Sequence, residues 1–126
     1  MTRDAIATSD APRPRGPYSQ AVRAGEWVFV AGQLPLDAAG ALVGEGDIRA
    51  QTRSVLANMA AILAAAGSSL DRVVKTTVFL TSLDDFVGMN EVYASAFADP
   101  YPARSTVEIG RLPQGMLIEI ECVALT

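Results

Sequence analysis

The sequence predicts an α+β fold in which a mixed β-sheet carries two α-helices on one face, in the order β-β-β-α-β-α-β-β. Two stretches repeat apolar residues with the 3.6-residue period of a helix, and several short runs rich in β-branched residues are typical of strands. The chain has 126 residues, of which 50% are hydrophobic. This length predicts one domain covering residues 1–126, with a core that needs neither disulfide nor metal.

Glycine and proline divide the N-terminal part of the chain into strands and turns. Four of the six residues at 12–17 are proline or glycine, which predicts a turn-rich arm with a short strand near residues 5–8. Residues 20–24 and 27–31 flank the dipeptide Gly25-Glu26. Two runs separated by such a turn are typical of a β-hairpin.

The first predicted helix covers residues 48–66. Asp47 is placed to accept hydrogen bonds from the free N–H groups at its start, and Gly67 is placed for a left-handed C-terminal cap. Alanine fills much of the remaining surface and favours the helix. The inward stripe consists of Ile48, Val55, Leu56, Met59, Ile62, Leu63 and Ala66.

A second helix is predicted to begin at Ser82 and Asp85, which have the spacing of a capping box, and to end before Pro100. Its inward stripe consists of Phe86, Met89, Tyr93 and Phe97. Asn90 falls on the same stripe. A buried amide must find hydrogen-bond partners, so we expect Asn90 to be a satisfied structural amide that pins a neighbouring loop.

Three further strands are predicted at residues 73–80, 105–109 and 117–125. The last two flank a loop at residues 110–116 and are expected to pair as a second hairpin. The strand at 73–80 carries apolar residues on both faces, but two helices can cover only one face of the sheet. An uncovered apolar face indicates a partner, and self-association is the simplest way to cover it.

The composition excludes several kinds of active site. The chain has no histidine, one cysteine and one lysine. A Ser-His-Asp triad, a Cys-His pair and metal sites built on histidine or several cysteines are therefore impossible. A Schiff base would depend on Lys75 alone. Catalysis must use carboxylates, arginines, hydroxyls, backbone groups and water.

The net charge of −4 argues against nucleic-acid binding, which needs a basic face. The only local basic cluster is Arg13-Pro14-Arg15, for which a solvated turn is the expected state. No apolar run approaches the ~20 residues of a membrane span, and the N-terminal residues are too polar for a signal peptide. We therefore expect a cytoplasmic protein that binds neither nucleic acid nor membrane.

Arg104 lies at the head of a predicted strand in an apolar, arginine-poor neighbourhood. Strand alternation places Arg104, Thr106 and Glu108 on one face, and it places Glu119 and Glu121 together on one face of the last strand. If these strands pair, a guanidinium, a hydroxyl and carboxylates line one polar strip suited to a carboxylate ligand. The alternative is a purely structural ion pair at an interface.

The chain resembles the RidA (YjgF-type) family of reactive-intermediate imine deaminases nearly end to end. The order and spacing of several short motifs carry the resemblance. They are Gly16-Pro-Tyr-Ser-Gln-Ala21, Gly32-Gln33, Val74-Lys-Thr-Thr-Val-Phe-Leu80, Met89-Asn90 with Tyr93, Pro102-Ala-Arg-Ser105, Leu112-Pro113 and Ile118-Glu-Ile-Glu121. The resemblance implies a chorismate-mutase-like α+β layer, assembled as a homotrimer with its sites in the clefts between subunits.

The resemblance also implies an activity that needs no cofactor and no metal. The reaction is hydrolysis of 2-imino or enamine acids, such as 2-iminobutanoate or 2-iminopropanoate, to 2-oxo acids and ammonia. Arg104 matches the family's carboxylate-binding arginine, and Glu119 matches the carboxylate thought to handle water. Tyr18 and Asn90 match positions around the pocket.

Three more positions are expected to line the substrate pocket: Ala31, Gly32 and Thr106. Backbone groups around Gly32 and Thr106 are expected to hold the imine nitrogen or the departing ammonia. The sequence departs from the family at Ala31, where typical members have a hydroxyl residue, and at Thr106, where many have a cysteine. Thiol chemistry therefore does not transfer to this chain, and its own Cys122 is expected to lie in the core.

Two further interpretations stay open. The same arginine would also serve a non-catalytic, regulatory trimer that binds a small carboxylate. Glu119 distinguishes the two, because a base is superfluous for binding an anion and its charge opposes it. A nuclease, the other alternative, is disfavoured by the acidic charge balance and the absence of histidine.

Overall fold

The computed structural model describes residues 2–126 and confirms the predicted order of elements. Neither helix in this part of the chain is long and apolar enough to cross a membrane. The strands are β1 (Asp4–Ile6), β2 (Ala21–Ala24), β3 (Trp27–Gln33), β4 (Val73–Leu80), β5 (Ala103–Glu108) and β6 (Ile118–Leu125), and the helices are α1 (Ile48–Ala65) and α2 (Phe86–Ala96).

The six strands form one mixed sheet in the order β1-β2-β3-β6-β4-β5. Strands β4 and β5 are parallel, and the other neighbouring pairs are antiparallel. The predicted hairpin of β2 and β3 is confirmed, with Ala24 opposite Trp27. Gly25 has a φ of 60°, which glycine adopts without steric cost at this turn.

The predicted hairpin of the last two strands is wrong, because β6 lies between β3 and β4 and does not pair with β5. Helix α2 connects β4 to β5 as a crossover, which makes those two strands parallel neighbours. The loop at residues 110–116 is longer than the two to five residues typical of a hairpin connection. It therefore has the length to carry the chain past β4 to the middle of the sheet.

The core lies between the helices and one face of the sheet. In β6 every second side chain is buried there: Ile118, Ile120, Cys122 and Ala124. These side chains belong to the same cluster as the inward stripe of α1. Both predicted caps of α1 are found: the Asp47 carboxylate accepts a hydrogen bond from the Ala50 N–H at 3.1 Å, and Gly67 has a φ of +77°.

The other face of the sheet, which we call the open face, is covered by no helix among residues 2–126. Trp27 and Phe29 of β3 are 45% and 47% exposed on it, and Val107 of β5 is 42% exposed. Monomeric proteins seldom leave aromatic residues clustered on a sheet face. The uncovered apolar face expected from the sequence is thus present in the single chain, and its coverage by further copies stays a prediction.

Gln51 is a structural polar residue that the helical pattern does not identify. Its side chain is fully buried on α1. The amide nitrogen donates to the carbonyl oxygens of Gly44 at 3.2 Å and Gly115 at 2.8 Å, and the amide oxygen accepts from the Leu117 N–H at 2.8 Å. One side chain thus fixes two loops against the start of α1.

Replacing Gln51 by methionine keeps the side-chain length but leaves a backbone N–H and carbonyl groups without partners. Because each unsatisfied buried group costs about 1–3 kcal/mol, we expect Gln51→Met to lower the free energy of unfolding by at least ~2 kcal/mol. Urea unfolding followed by circular dichroism measures this change. Gln114→Met, at an exposed position, is the matched control and should change stability by less than about 0.5 kcal/mol. Equal stability of both variants would contradict the role of Gln51.

Candidate functional site

The guanidinium of Arg104 lies beneath α2, against two aromatic rings. Its central carbon is 4.7 Å from the centroid of the Tyr93 ring and 5.6 Å from that of Phe86. A cation over a ring face gains about 0.5–2 kcal/mol, depending on its desolvation. The one ion pair among residues 2–126 joins Arg49 to Glu91. The charge of Arg104 is therefore positioned by aromatic rings, with no carboxylate of the described chain neutralising it.

Tyr93 is itself fixed, which keeps the guanidinium in place. Its hydroxyl shares a 2.7 Å hydrogen bond with the Thr76 hydroxyl of β4, and its ring packs on Phe97 with centroids 4.7 Å apart. Burial raises the pKa of Tyr93 above 10.0, so the ring stays neutral beside the arginine. Sequence periodicity places Phe86 and Tyr93 on one stripe, but their contact with Arg104 depends on which strand lies beneath α2.

A groove opens beside the guanidinium, and we call it the arginine groove. It is lined by Asn90, Tyr93, Ala94, Tyr101, Pro102 and Arg104. Asn90 is half-buried, and its side-chain amide makes no hydrogen bond to residues 2–126. The expected structural amide is therefore wrong: Asn90 sits at the edge of the stripe, where the groove leaves its polar atoms available to a ligand.

Thr106 and Glu108 share the helix face of β5 with Arg104 but differ in their partners. The Thr106 hydroxyl is buried and has no hydrogen-bond partner within residues 2–126. A buried hydroxyl left unpaired costs free energy, so a ligand atom that reached it would gain a bond. The Glu108 carboxylate accepts from the Leu83 N–H at 2.9 Å. Glu108 therefore caps a turn and takes no part in a polar strip with Arg104.

Glu119 lies on the open face, half-buried on β6 opposite Phe79 of β4. Burial raises the pKa of its carboxyl above 4.5, and the nearby charge of Glu121 raises it further. A Cβ atom added at Gly32 would lie 2.7 Å from the Glu119 carboxyl carbon. The missing side chain at Gly32 thus leaves the space that the carboxylate occupies.

The pairing of β3 with β6 has a register shift at this point. Val30 is opposite Cys122 and Gln33 is opposite Ile120, so Ala31 and Gly32 face a single residue of β6. Such a bulge kinks the strand locally and redirects its side chains. The expected pocket residues Ala31 and Gly32 form this bulge opposite Glu121, and Gly32 is the one that lies beside Glu119.

Tyr18 lies in a second groove, which we call the arm groove, together with Arg13, Arg15, Gly32 and Gln33. The Tyr18 side chain is 53% exposed, and its hydroxyl oxygen accepts a hydrogen bond from the Arg15 N–H at 3.2 Å. Gly32 also lies beside Glu119, so Tyr18 shares this groove with a neighbour of Glu119.

The expected site residues therefore form two groups on opposite faces of the sheet. Arg104 is in register with the buried Thr76, on the helix face, whereas Glu119 is opposite Phe79, on the open face. The polar strip expected from pairing the last two strands is wrong, because β4 separates those strands. Asn90 and Thr106 accompany Arg104.

Cys122 is buried in the core, as expected from strand alternation. Burial, reinforced by the charge of Glu121, raises the pKa of its thiol to about 12. A thiol with this pKa stays protonated at neutral pH and is a poor nucleophile.

Comparison with known proteins gives consistent matches over the whole chain. Residues 8–126 match the family model Ribonuc_L-PSP, described as endoribonuclease L-PSP. The RutC family protein PH0854 of Pyrococcus horikoshii is 52% identical over 122 residues, which is 97% of each chain. A RutC family protein of Drosophila melanogaster, UK114, is 44% identical and is matched over 100% of this chain and 91% of its own length.

Solved structures agree with these matches. A protein of the Rid family from Yersinia pestis has a TM-score of 0.94 and 42% identity, covering 99% of this chain and 100% of its own. TdcF of E. coli, solved with bound serine, has a TM-score of 0.90 and 40% identity, covering 98% of each chain.

The two carboxylates of β6 provide a test of the electrostatics at Glu119. Removing the neighbouring negative charge with Glu121→Gln should lower the pKa of Glu119, because a like charge disfavours ionisation. A carboxyl ¹³C NMR titration measures the pKa directly. Glu26→Gln removes an equal charge from an exposed turn and is expected to leave the pKa of Glu119 unchanged. An unchanged or raised pKa in Glu121→Gln would contradict the assigned coupling.

Proposed function

The chain belongs to the RidA (YjgF-type) family, and from this premise we propose that it hydrolyses small 2-imino and enamine acids to 2-oxo acids and ammonia. The single observation that carries the proposal is the guanidinium of Arg104, held by aromatic rings and lacking a carboxylate partner among residues 2–126. Bound serine in the TdcF structure supports a site scaled to a small amino-acid-like carboxylate.

In this proposal Arg104 binds the substrate carboxylate through two parallel hydrogen bonds. A planar guanidinium matches a carboxylate in this geometry, and charge-assisted bonds are the stronger class. The rings of Tyr93 and Phe86 restrict the plane of the guanidinium before substrate arrives. Less ordering is then needed on binding, which increases the net affinity.

Glu119 is proposed to act on water. Its carboxylate takes a proton from water as the water oxygen bonds to C2 and passes that proton to the imine nitrogen, giving a carbinolamine. Glu119 then takes the hydroxyl proton of this intermediate and delivers it to the amino nitrogen as the C2–N bond breaks, releasing ammonia and the 2-oxo acid. A raised pKa makes Glu119 a stronger base than an ordinary glutamate, which suits this role. An enamine substrate first tautomerises to the imine, as C3 gains a proton and the nitrogen loses one.

The proposal places each site between two copies of the chain. Within one chain Arg104 and Glu119 lie on opposite faces of the sheet, so one chain does not offer both to the same substrate. In the homotrimer that we propose, the arginine groove of one copy meets the open face of the next. The exposed Trp27 and Phe29 supply apolar area for that contact.

The other expected pocket residues take secondary roles in this arrangement. We assign the free amide of Asn90 and the unpaired hydroxyl of Thr106 to the same copy as Arg104, where they contact the substrate. Tyr18, Ala31 and Gly32 accompany Glu119 from the other copy.

The reaction so arranged needs no cofactor or metal, because the imine carbon is already electrophilic, and we place it in the cytoplasm.

The same arginine would also serve a trimer that only binds carboxylates, and kinetics separate the two functions. A threonine dehydratase generates 2-iminobutanoate, and semicarbazide competes for it while 2-oxobutanoate is followed. Glu119→Gln should lower kcat by about 10²–10⁴-fold, the range for loss of a general base. Arg104→Ala should lower kcat/KM by roughly 10²-fold, since it removes a charge-assisted bidentate contact.

Two charge-matched variants on exposed positions, Glu26→Gln and Arg53→Ala, are the controls and should retain wild-type rates. A wild-type protein that does not accelerate the reaction over buffer would refute the deaminase and leave the binding function. Wild-type activity in Arg104→Ala would remove the arginine from the mechanism.

Mixed oligomers test whether the site is shared. Arg104→Ala and Glu119→Gln are each expected to be nearly inactive. When the two variants are refolded together in a one-to-one mixture, each site between copies takes its arginine from one copy and its glutamate from the next. About a quarter of the sites then have both residues intact, so about a quarter of wild-type activity should return. A mixture no more active than the mean of the two variants would place both residues in one chain.

A further inference from the structure

The arm groove carries two arginines that the proposed reaction of small aliphatic imines does not use. Arg13 and Arg15 line it together with Tyr18 and Gly32. The ion pair within residues 2–126 belongs to Arg49 and Glu91, so neither arm arginine is neutralised by a carboxylate there. Both side chains are exposed, as the sequence predicted, and they border this groove.

We propose that this groove binds a second carboxylate of the substrate, so that the enzyme takes 2-imino dicarboxylic acids in preference to neutral aliphatic ones. The inference rests on the proposed function and specifies its substrate class. In it, Arg104 holds the carboxylate next to the imine carbon, and Arg13 and Arg15 hold the carboxylate at the end of the side chain.

The arm that carries the two arginines is held firmly. The buried side chain of Gln20 accepts from the Thr8 N–H at 2.7 Å and donates to the carbonyl oxygens of Thr8 at 3.1 Å and Pro12 at 2.9 Å. Prolines on both sides of Arg13 fix the backbone φ. The two guanidiniums therefore extend from a defined loop, which lowers the entropy lost when they bind an anion.

Arg15 is further restrained by its own hydrogen bonds. One guanidinium nitrogen donates to the Gly40 carbonyl at 3.1 Å, and the backbone N–H donates to the Tyr18 hydroxyl oxygen. A guanidinium has five N–H donors, so this contact leaves several for a ligand. Arg13 makes no hydrogen bond within residues 2–126.

The position of the groove relative to Glu119 gives it this role. Gly32 lines the groove and also touches the Glu119 carboxylate. In our proposal the substrate lies with C2 near Glu119 and its side chain directed toward the arm. A neutral aliphatic side chain gains nothing from two arginines, whereas a carboxylate forms charge-assisted hydrogen bonds with them.

The affinities of two 2-oxo acids, one with a second carboxylate and one without, test the substrate class. Isothermal titration calorimetry measures the Kd of 2-oxoglutarate and of 2-oxobutanoate for the intact wild-type protein and for a double variant, Arg13→Gln with Arg15→Gln. We expect wild type to bind 2-oxoglutarate about tenfold more tightly, the effect of one added charge-assisted contact. In the double variant this ratio should fall to about one.

A second double variant, Arg3→Ala with Arg53→Ala, removes the same charge from exposed positions away from both grooves and should keep the tenfold ratio. Wild-type preference for 2-oxobutanoate, or an equal loss of preference in this control, would overturn the inference.

Turnover of 2-iminobutanoate is measured in a separate experiment. Turnover without the dicarboxylate preference refutes only the substrate class, whereas an arginine-dependent preference without turnover supports the assigned groove and refutes the hydrolase.

Discussion

Strand β6 joins the two halves of the sheet, because it pairs with β3 on one side and with β4 on the other. Its alternation serves two purposes at once. Ile118 and Ile120 point into the core beneath the helices, while Glu119 between them points to the open face. The central position of this strand therefore fixes both the main apolar layer and the face on which the candidate base lies.

The alternation of side chains along β5 and β6 also explains why the candidate site is divided. A guanidinium on the helix face and a carboxylate on the open face meet only where one copy of the chain lies against another. Each of these two side chains is positioned by contacts within its own chain. Aromatic rings orient Arg104, and the missing side chain at Gly32 leaves room for Glu119. The proposed assembly thus adds the missing half of a site to each chain, in addition to covering apolar surface.

Local signals in the sequence predicted most of the elements, and long-range pairing accounts for the errors. The caps Asp47 and Gly67 mark α1 correctly because capping depends on neighbouring residues only. The partner of β6 was predicted wrongly, because alternation shows which side chains share a face but not which strand lies next to it. The same limit hid the contact of Arg104 with Tyr93, and Asn90 was misjudged because periodicity does not reveal a groove. The family resemblance, by contrast, assigned one site to residues that no local pattern brings together, and that shared site stays a prediction.

The pairing of β3 with β6 also has a consequence for synthesis of the chain. Trp27 is opposite Leu125, so both helices and the intervening strands must be synthesised before this ladder can form. Until then β3 has one unpaired edge, which is the kind of surface that promotes aggregation of nascent chains. Contacts between such distant residues also slow folding. The early β2–β3 hairpin and the alanine-rich helix α1, both built from local contacts, are the parts able to form while the last strand is still being made.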